Sequence, residues 1–186
     1  MKELSQQGSG QDTLRQVYAP TNDADEETKD SFYDKLQSVI HLTPRHDITI
    51  VVGDLNAKVG TKLDGEDGIV GEHGLQSERN DNDERFSSLC ANNNLAIVST
   101  MFPHKKIHLH TWTSPNGHHH NQIDHVAING QYKRSINDVR AHRGADVGSD
   151  HNLVVIKTRL KLCKIGKNPS TSKRYETCQL KVPEIN

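Results

Sequence analysis

Side chains suited to phosphate-ester hydrolysis stand at the ends of apolar runs in this sequence. Asp54 and Asn56 follow the run "ITIVVG". Asp150 and His151 precede "NLVVIKTRL", and Asp124 lies within "QIDHVAI". A carboxylate can position or deprotonate water, an amide can orient it, and an imidazole held by a second carboxylate can stabilise phosphoryl charge. Because polar residues at strand ends meet on one rim of a sheet, we predict that these residues form one site.

The apolar pattern predicts an α/β arrangement that positions these residues. The continuous run 48–52 is typical of a strand covered on both faces. Amphipathic helices are predicted over 24–42, capped by Thr21, Asn22 or Asp23, and from Asp81 or Asn82 onward. A long glycine-rich surface loop is predicted between them, over 57–80. Strands are then predicted at 95–98, around a turn at 115–117, near 135–144 and over 154–162.

The two ends of the chain differ from the middle in composition. Residues 1–16 show no period and are predicted to be disordered, whereas residues 163–186 form a basic, polar tail. Residues 1–132 carry a net charge of −8 and residues 133–186 a net charge of +7. This asymmetry is compatible with an acidic metal-holding region beside a basic surface for a polyanion, and also with a solvated helix and tail.

Composition excludes several other classes of protein. Hydrophobic residues make up only 32% of the 186 residues, which is a thin supply for a core. No apolar stretch approaches the ~20 residues of a membrane helix, so no membrane partner is expected. Cys90, Cys163 and Cys178 are too scattered for a disulfide framework, and an intracellular location is expected. The histidines crowded between residues 104 and 125 are interpreted as a solvated cluster, with adventitious metal binding as the alternative.

Five motifs occur in a fixed order: "VYAPTN", "VVGDLNAKVG", "HTWTSP", "QIDHV" and "GSDHNLV". Together they resemble the endonuclease/exonuclease/phosphatase superfamily, although each motif alone is a weak signal. The intervening sequence is similar to the apurinic-type endonuclease region of LINE-type retrotransposons and to host-derived craniofacial development protein 2-like sequences. The resemblance covers about residues 17–162, which defines the predicted partial domain.

The resemblance implies a role for each matched residue. Tyr18 contacts the scissile phosphate, and Asp54 aligns or deprotonates the attacking water with Asn56 beside it. Asp124 orients His151, and His151 contacts the phosphate. Trp112 is interpreted as core packing and is left outside the catalytic set.

The resemblance also implies a metal ion and a nucleic-acid partner. Asp150 is the implied metal ligand, with Mg²⁺ as the expected cofactor and Mn²⁺ as a possible substitute. DNA is the implied partner, with the hairpin between Trp112 and Asp124 near it, and the nucleus is the expected location.

The family's fold is a four-layered α/β sandwich built from two similar halves, and this chain departs from it at the start. No match is present for the family's early Asn and its metal-binding Glu. The N-terminal half is therefore predicted to be missing, which would leave one sheet face uncovered and prone to self-association.

The predicted function is Mg²⁺-dependent hydrolysis of DNA phosphodiesters, impaired by the missing metal ligand. The first alternative is a catalytically dead remnant that binds nucleic acid or protein. The second is a phosphatase that acts on lipid or inositol phosphates, since the fold supports that chemistry too.

The basic tail is expected to govern affinity for nucleic acid, because its cations release counterions when they reach phosphates. Deleting residues 163–186 should remove most of the affinity and much of its salt dependence, measured by a salt series of binding titrations. Affinity that survives the deletion would contradict this prediction. The cations that could reach phosphates are Lys161, just before the tail, and Lys164, Lys167, Lys173, Arg174 and Lys181 within it.

Overall fold

A computed structural model describes residues 2–5 and 13–159, apart from residues 45 and 145–147. These residues form nine strands and two α-helices, joined by loops and three short 3₁₀ turns. The strands are β1 (Lys2–Ser5), β2 (Thr13–Tyr18), β3 (Thr49–Asp54), β4 (Leu95–Ile97), β5 (Trp112–Thr113), β6 (His120–Asn121), β7 (Asp124–Asn129), β8 (Ile136–His142) and β9 (Leu153–Thr158). The helices are α1 (Glu26–His41) and α2 (Asp81–Asn92).

The central element is a mixed five-stranded sheet in the order β1-β2-β3-β7-β4. Strands β2 and β3 run parallel, whereas β7 is antiparallel to both β3 and β4. Two smaller sheets of two strands each pair β5 with β6 and β8 with β9. The α/β fold class is confirmed, and the apolar run of β3 occupies the middle of the main sheet.

Both helices cover one face of the main sheet. Leu36 of α1 and Phe86 of α2 are almost fully buried there, against Val51 of β3. The Tyr33 hydroxyl donates to the Asn82 carbonyl at 3.0 Å, which joins the two helices. The apolar residues that recur at helical spacing are therefore buried in the core, as their spacing predicts.

The predicted helix caps are wrong at both helices. Asp25 caps α1 by accepting from the Thr28 N–H at 2.8 Å, because residues 21–24 first form a turn. Asn80 caps α2 by accepting from the Asp83 N–H at 3.0 Å. Several oxygen-bearing side chains compete for each cap, and the turn geometry selects among them.

The β8–β9 pair packs on the other face of the main sheet. Val126 and Ile128 of β7 are buried there against Val139 of β8, whereas Ile50 and Val52 of β3 are only half-buried. The sequence predicted that this face would be uncovered, but the β8–β9 pair covers it over β7 and β4. Toward β2 the same face is more open, since Leu14 is half-buried and Gln16 is exposed.

Two segments differ from their predictions: part of the N-terminal segment joins the main sheet, and part of the loop 57–80 is buried in the core. Lys2–Ser5 pairs antiparallel with β2, and β2 begins at Thr13, so the prediction of disorder over 1–16 is wrong for these residues. Main-chain hydrogen bonds hold such an edge strand, and the pattern of side chains in the sequence gives no sign of these bonds. In the loop 57–80, Val59 and Val70 are buried, so this irregular segment is not wholly on the surface.

Among the helices that the structure describes, none is long and apolar enough to cross a membrane. The basic tail 163–186 and the end of the strand predicted over 154–162 lie outside the described residues. The described part of that strand, β9, runs from Leu153 to Thr158.

Candidate active site

Three strand ends meet at one corner of the main sheet. Asp54 is the last residue of β3 and lies opposite Asp124, the first residue of β7. Tyr18 ends β2 beside Asp54 and is 71% exposed. Because paired residues on neighbouring strands point to the same face, all three side chains project toward the β8–β9 side of the sheet.

The turn after β3 is shaped by a glycine and an asparagine. Gly53 has φ +145°, and a Cβ there would lie 1.9 Å from the Val17 carbonyl oxygen. Asn56 has φ +49°, a conformation that asparagine tolerates better than most residues. Its N–H donates to Asp54 Oδ1 at 2.9 Å, and its side-chain amide donates to the Ala19 carbonyl at 3.0 Å. The turn therefore holds the Asp54 carboxylate in one orientation.

His151 lies between the two facing carboxylates. Its Nδ1 is 3.0 Å from Asp124 Oδ2, and its Nε2 is 3.9 Å from Asp54 Oδ2. An ionised carboxylate only accepts hydrogen bonds, so Nδ1 is the donor to Asp124 and Nε2 is left to face Asp54. A fixed imidazole beside a carboxylate is an arrangement suited to acid–base and electrostatic catalysis.

Thr111 and Trp112 hold this corner together, although neither was predicted to belong to the site. Thr111 Oγ1 accepts from the N–H groups of Ile123 at 3.0 Å and Asp124 at 3.1 Å. The Trp112 indole donates to Asp150 Oδ2 at 2.7 Å, and Trp112 lines the cleft instead of lying in the core. The motif "HTWTSP" was the available signal, but the partners of these side chains are distant in sequence.

A cleft of about 420 Å³ opens at this corner of the sheet. Five of the six predicted catalytic and metal residues line it, and Asp124 lies behind His151. The predicted nucleic-acid-binding residues 161–174 lie outside the described residues. The lining residues are Tyr18, Thr21, Asn22, Asp54, Asn56, Lys58, Asn80, Trp112, Asn121, Ile123, Asp150 and His151.

Burial and charge shift the two cleft carboxyls in opposite directions. Burial raises the pKa of Asp54; the Asn56 N–H opposes this shift, and the charge of Asp124 adds to it. The hydrogen bond from the Trp112 indole lowers the pKa of Asp150 below its ordinary value. Asp150 is therefore the more readily ionised group, whereas Asp54 is the better proton acceptor once ionised.

The described residues do not form a complete metal site. Asp150 supplies the oxygen chemistry that Mg²⁺ prefers, but one of its oxygens already accepts from Trp112. Within the described ranges, no group of three or more His, Cys, Asp or Glu side chains could hold a metal ion. The fit to a resident metal is therefore partial, and it rests on Asp150 alone.

The histidines between residues 104 and 125 do not share one environment: the tract 118–120 is exposed, as predicted for a solvated cluster, whereas others pack against partners. His125 was predicted to be solvated, but it is buried. Its two ring nitrogens lie 2.9 Å from Ser99 Oγ and 2.9 Å from the Ala57 carbonyl oxygen. His104 pairs with Asp138 at 2.7 Å, and His110 stacks on His120 with 4.6 Å between ring centroids.

Comparison with known sequences gives a consistent result. A profile of the endonuclease–reverse transcriptase family matches residues 13–155. Craniofacial development protein 2 of Bos taurus is 40% identical over 155 residues, covering 83% of this chain and 26% of that protein. Its Tragulus javanicus counterpart is 39% identical over 155 residues, with the same coverage of 83% and 26%. The chain thus spans about a quarter of the length of these curated relatives.

Solved structures with low sequence identity share the fold. The Neisseria 3′ phosphatase NExo, bound to a product DNA hairpin, matches with a TM-score of 0.62 and 17% identity over 85% of this chain and 65% of that chain. The endonuclease domain of TRAS1, a telomere-specific non-LTR retrotransposon, matches with a TM-score of 0.57 and 18% identity over 85% and 61%.

The fold and the family profile together define the class of protein. The chain belongs to the endonuclease–reverse transcriptase family, within the endonuclease/exonuclease/phosphatase superfamily.

The electrostatic coupling across β3 and β7 can be tested directly. The Asp124 carboxylate raises the pKa of Asp54 more than the nearby His151 lowers it. Asp124→Asn should therefore lower the pKa of Asp54, as measured by ¹³C NMR titration of its carboxyl group. Asp67→Asn, which changes a carboxylate paired with Lys62 at 2.9 Å, is the matched control and should leave the Asp54 titration unchanged. An unchanged or raised pKa in Asp124→Asn would contradict the assignment.

Proposed function

We propose that this chain hydrolyses phosphodiester bonds of DNA as an endonuclease-type enzyme. Family membership supports a nuclease-like phosphodiesterase. The observation that carries the proposal is the placement of His151, with 3.0 Å to Asp124 and 3.9 Å to Asp54, in a cleft that also contains Tyr18 and Asn56. The NExo structure in the comparison is bound to a DNA hairpin, which favours DNA as the substrate class.

The reaction begins with water positioned by Asp54. Its carboxylate accepts a proton as the water oxygen attacks phosphorus, and the Asn56 N–H keeps that carboxylate oriented. His151, when protonated, donates from Nε2 to a phosphoryl oxygen, while Asp124 holds the ring and stabilises its charge. Tyr18, exposed at the rim, contacts the same phosphate. The P–O bond to the displaced sugar oxygen breaks, and that oxygen takes a proton from solvent to leave as an alcohol.

A divalent metal ion is part of the proposal. Nucleases of this superfamily generally use one, and it would neutralise charge on the phosphate. Asp150 is the residue that would hold Mg²⁺ or Mn²⁺, through its oxygen that is free of Trp112. A single carboxylate is a weak hold, so we expect slow turnover.

A catalytically dead module that binds nucleic acid or protein is the second candidate, and the incomplete metal site among the described residues favours it. For both candidates we propose a nuclear location, because DNA is the proposed partner. Binding of duplex DNA without any metal-dependent cleavage would favour the second candidate over the first.

We also propose that copies of this chain associate with one another. On the β8–β9 side of the main sheet, Ile50 and Val52 are only half-buried against the cluster of Val126 and Val139. An apolar area of this kind favours contact with a second apolar surface. Sedimentation velocity should therefore show dimers or larger species, and a concentration-independent monomer would contradict the proposal.

A nicking assay on supercoiled plasmid tests the proposed reaction. Nicking should require Mg²⁺ or Mn²⁺, disappear with EDTA, and fall by about 10²–10⁴-fold in Asp54→Asn and in His151→Gln. His104→Gln, which changes a histidine paired with Asp138 away from the cleft, is the control and should nick normally. Equal nicking by the wild type and both site variants would indicate another site or another nuclease.

A further inference from the structure

The proposed active-site cleft is rich in negative charge for a site that receives a polyanion. The carboxylates of Asp54 and Asp150 line it, and Asp124 lies behind His151. Like charges at short range oppose the approach of a phosphate unless a cation compensates. Among the described residues that line the cleft, Lys58 is the one lysine or arginine.

The main chain that carries Lys58 is fixed on both sides. The Lys58 N–H donates to Asn80 Oδ1 at 2.8 Å, and the Asn80 amide donates to the Asn56 carbonyl at 2.8 Å. His125 Nε2 lies 2.9 Å from the Ala57 carbonyl, and Val59 is fully buried. The segment between Asp54 and Val59 is thus held, so Lys58 has a fixed base relative to the Asp54 carboxylate.

The Lys58 ammonium also differs from the ammonium groups of Lys62 and Lys29, which both pair with carboxylates. Lys62 pairs with Asp67 at 2.9 Å and with Glu72 at 3.0 Å. Lys29 pairs with Asp81 at 2.9 Å. Within the part of the chain that the structure describes, the Lys58 ammonium has no carboxylate within 4.0 Å. Its charge is therefore available to a ligand in the cleft.

We propose that Lys58 binds a non-bridging oxygen of a nucleic-acid phosphate in this cleft and offsets its carboxylates. The inference rests on the proposed function and adds a substrate-binding residue to it. A lysine ammonium is a compact point charge that contacts a phosphate without reading the base. Lys58 accordingly contributes affinity that is independent of sequence and sensitive to salt.

The test is a salt series of binding titrations with a fluorescein-labelled DNA duplex, followed by anisotropy. All variants are made in an Asp54→Asn background with EDTA present, so that no cleavage occurs. Lys58→Gln should weaken binding roughly eightfold at about 0.1 M salt and reduce the log–log salt slope by about 0.9, the value of one phosphate contact. Lys58→Arg should retain both affinity and slope. Lys62→Gln is the matched control and should bind like the parent.

The outcomes separate this inference from the proposed function. If the parent fails to bind the duplex, the nucleic-acid function itself is contradicted. If the parent binds and Lys58→Gln has the same affinity and slope, only the role of Lys58 is overturned. Should Lys58→Gln fail to fold, ¹³C-dimethylated lysines of the parent provide the second measurement. A duplex-induced shift of the Lys58 signal is expected, and its absence overturns the inference.

Discussion

The architecture depends on two carboxylates that face one another across β3 and β7. Asp54 and Asp124 are directly opposite in the antiparallel register, an arrangement that destabilises a sheet when both groups are ionised. The main-chain N–H of Asn56 and the ring of His151 supply hydrogen-bond donors at this point. The donors that offset this repulsion therefore come from the turn after β3 and from the segment before β9, and both carry residues that the proposed chemistry needs.

The two sheets meet where the site lies. His151 is separated by one residue from the start of β9, which pairs with β8, whereas Asp54 and Asp124 belong to the main sheet. The contact between His151 and Asp124 therefore connects the two sheets as well as forming the proposed catalytic pair. Hydrophobic contacts behind it, such as Val126 against Val139, hold the same joint from the core side. Packing and site geometry share one interface, so a change that separates the sheets would also take the imidazole away from the carboxylates.

Sequence alone could predict features that depend on local pattern. The apolar run of β3 and the polar residues at its end follow from periodicity and from the chemistry of Asp54 and Asn56. The roles of Thr111 and Trp112 could not be predicted, because their partners, the Asp124 N–H and Asp150, become neighbours only after folding. Strand β1 was not predicted, because it is held by main-chain hydrogen bonds to β2, which leave no pattern in the side chains. The caps Asp25 and Asn80 were missed because neighbouring residues have the same capping chemistry.

Gly53 carries a consequence for how this family can diverge. The Val17 carbonyl oxygen occupies the space that any side chain at position 53 would need, at 1.9 Å from an ideal Cβ. A replacement would displace the strand end and, with it, the carboxylate of Asp54, while leaving every reactive group in the sequence. In a lineage of degenerating copies, a chain could thus keep an intact set of acid, amide and imidazole residues and still be inert. The absence of a side chain at position 53 is therefore as much a requirement of the site as the presence of its reactive groups.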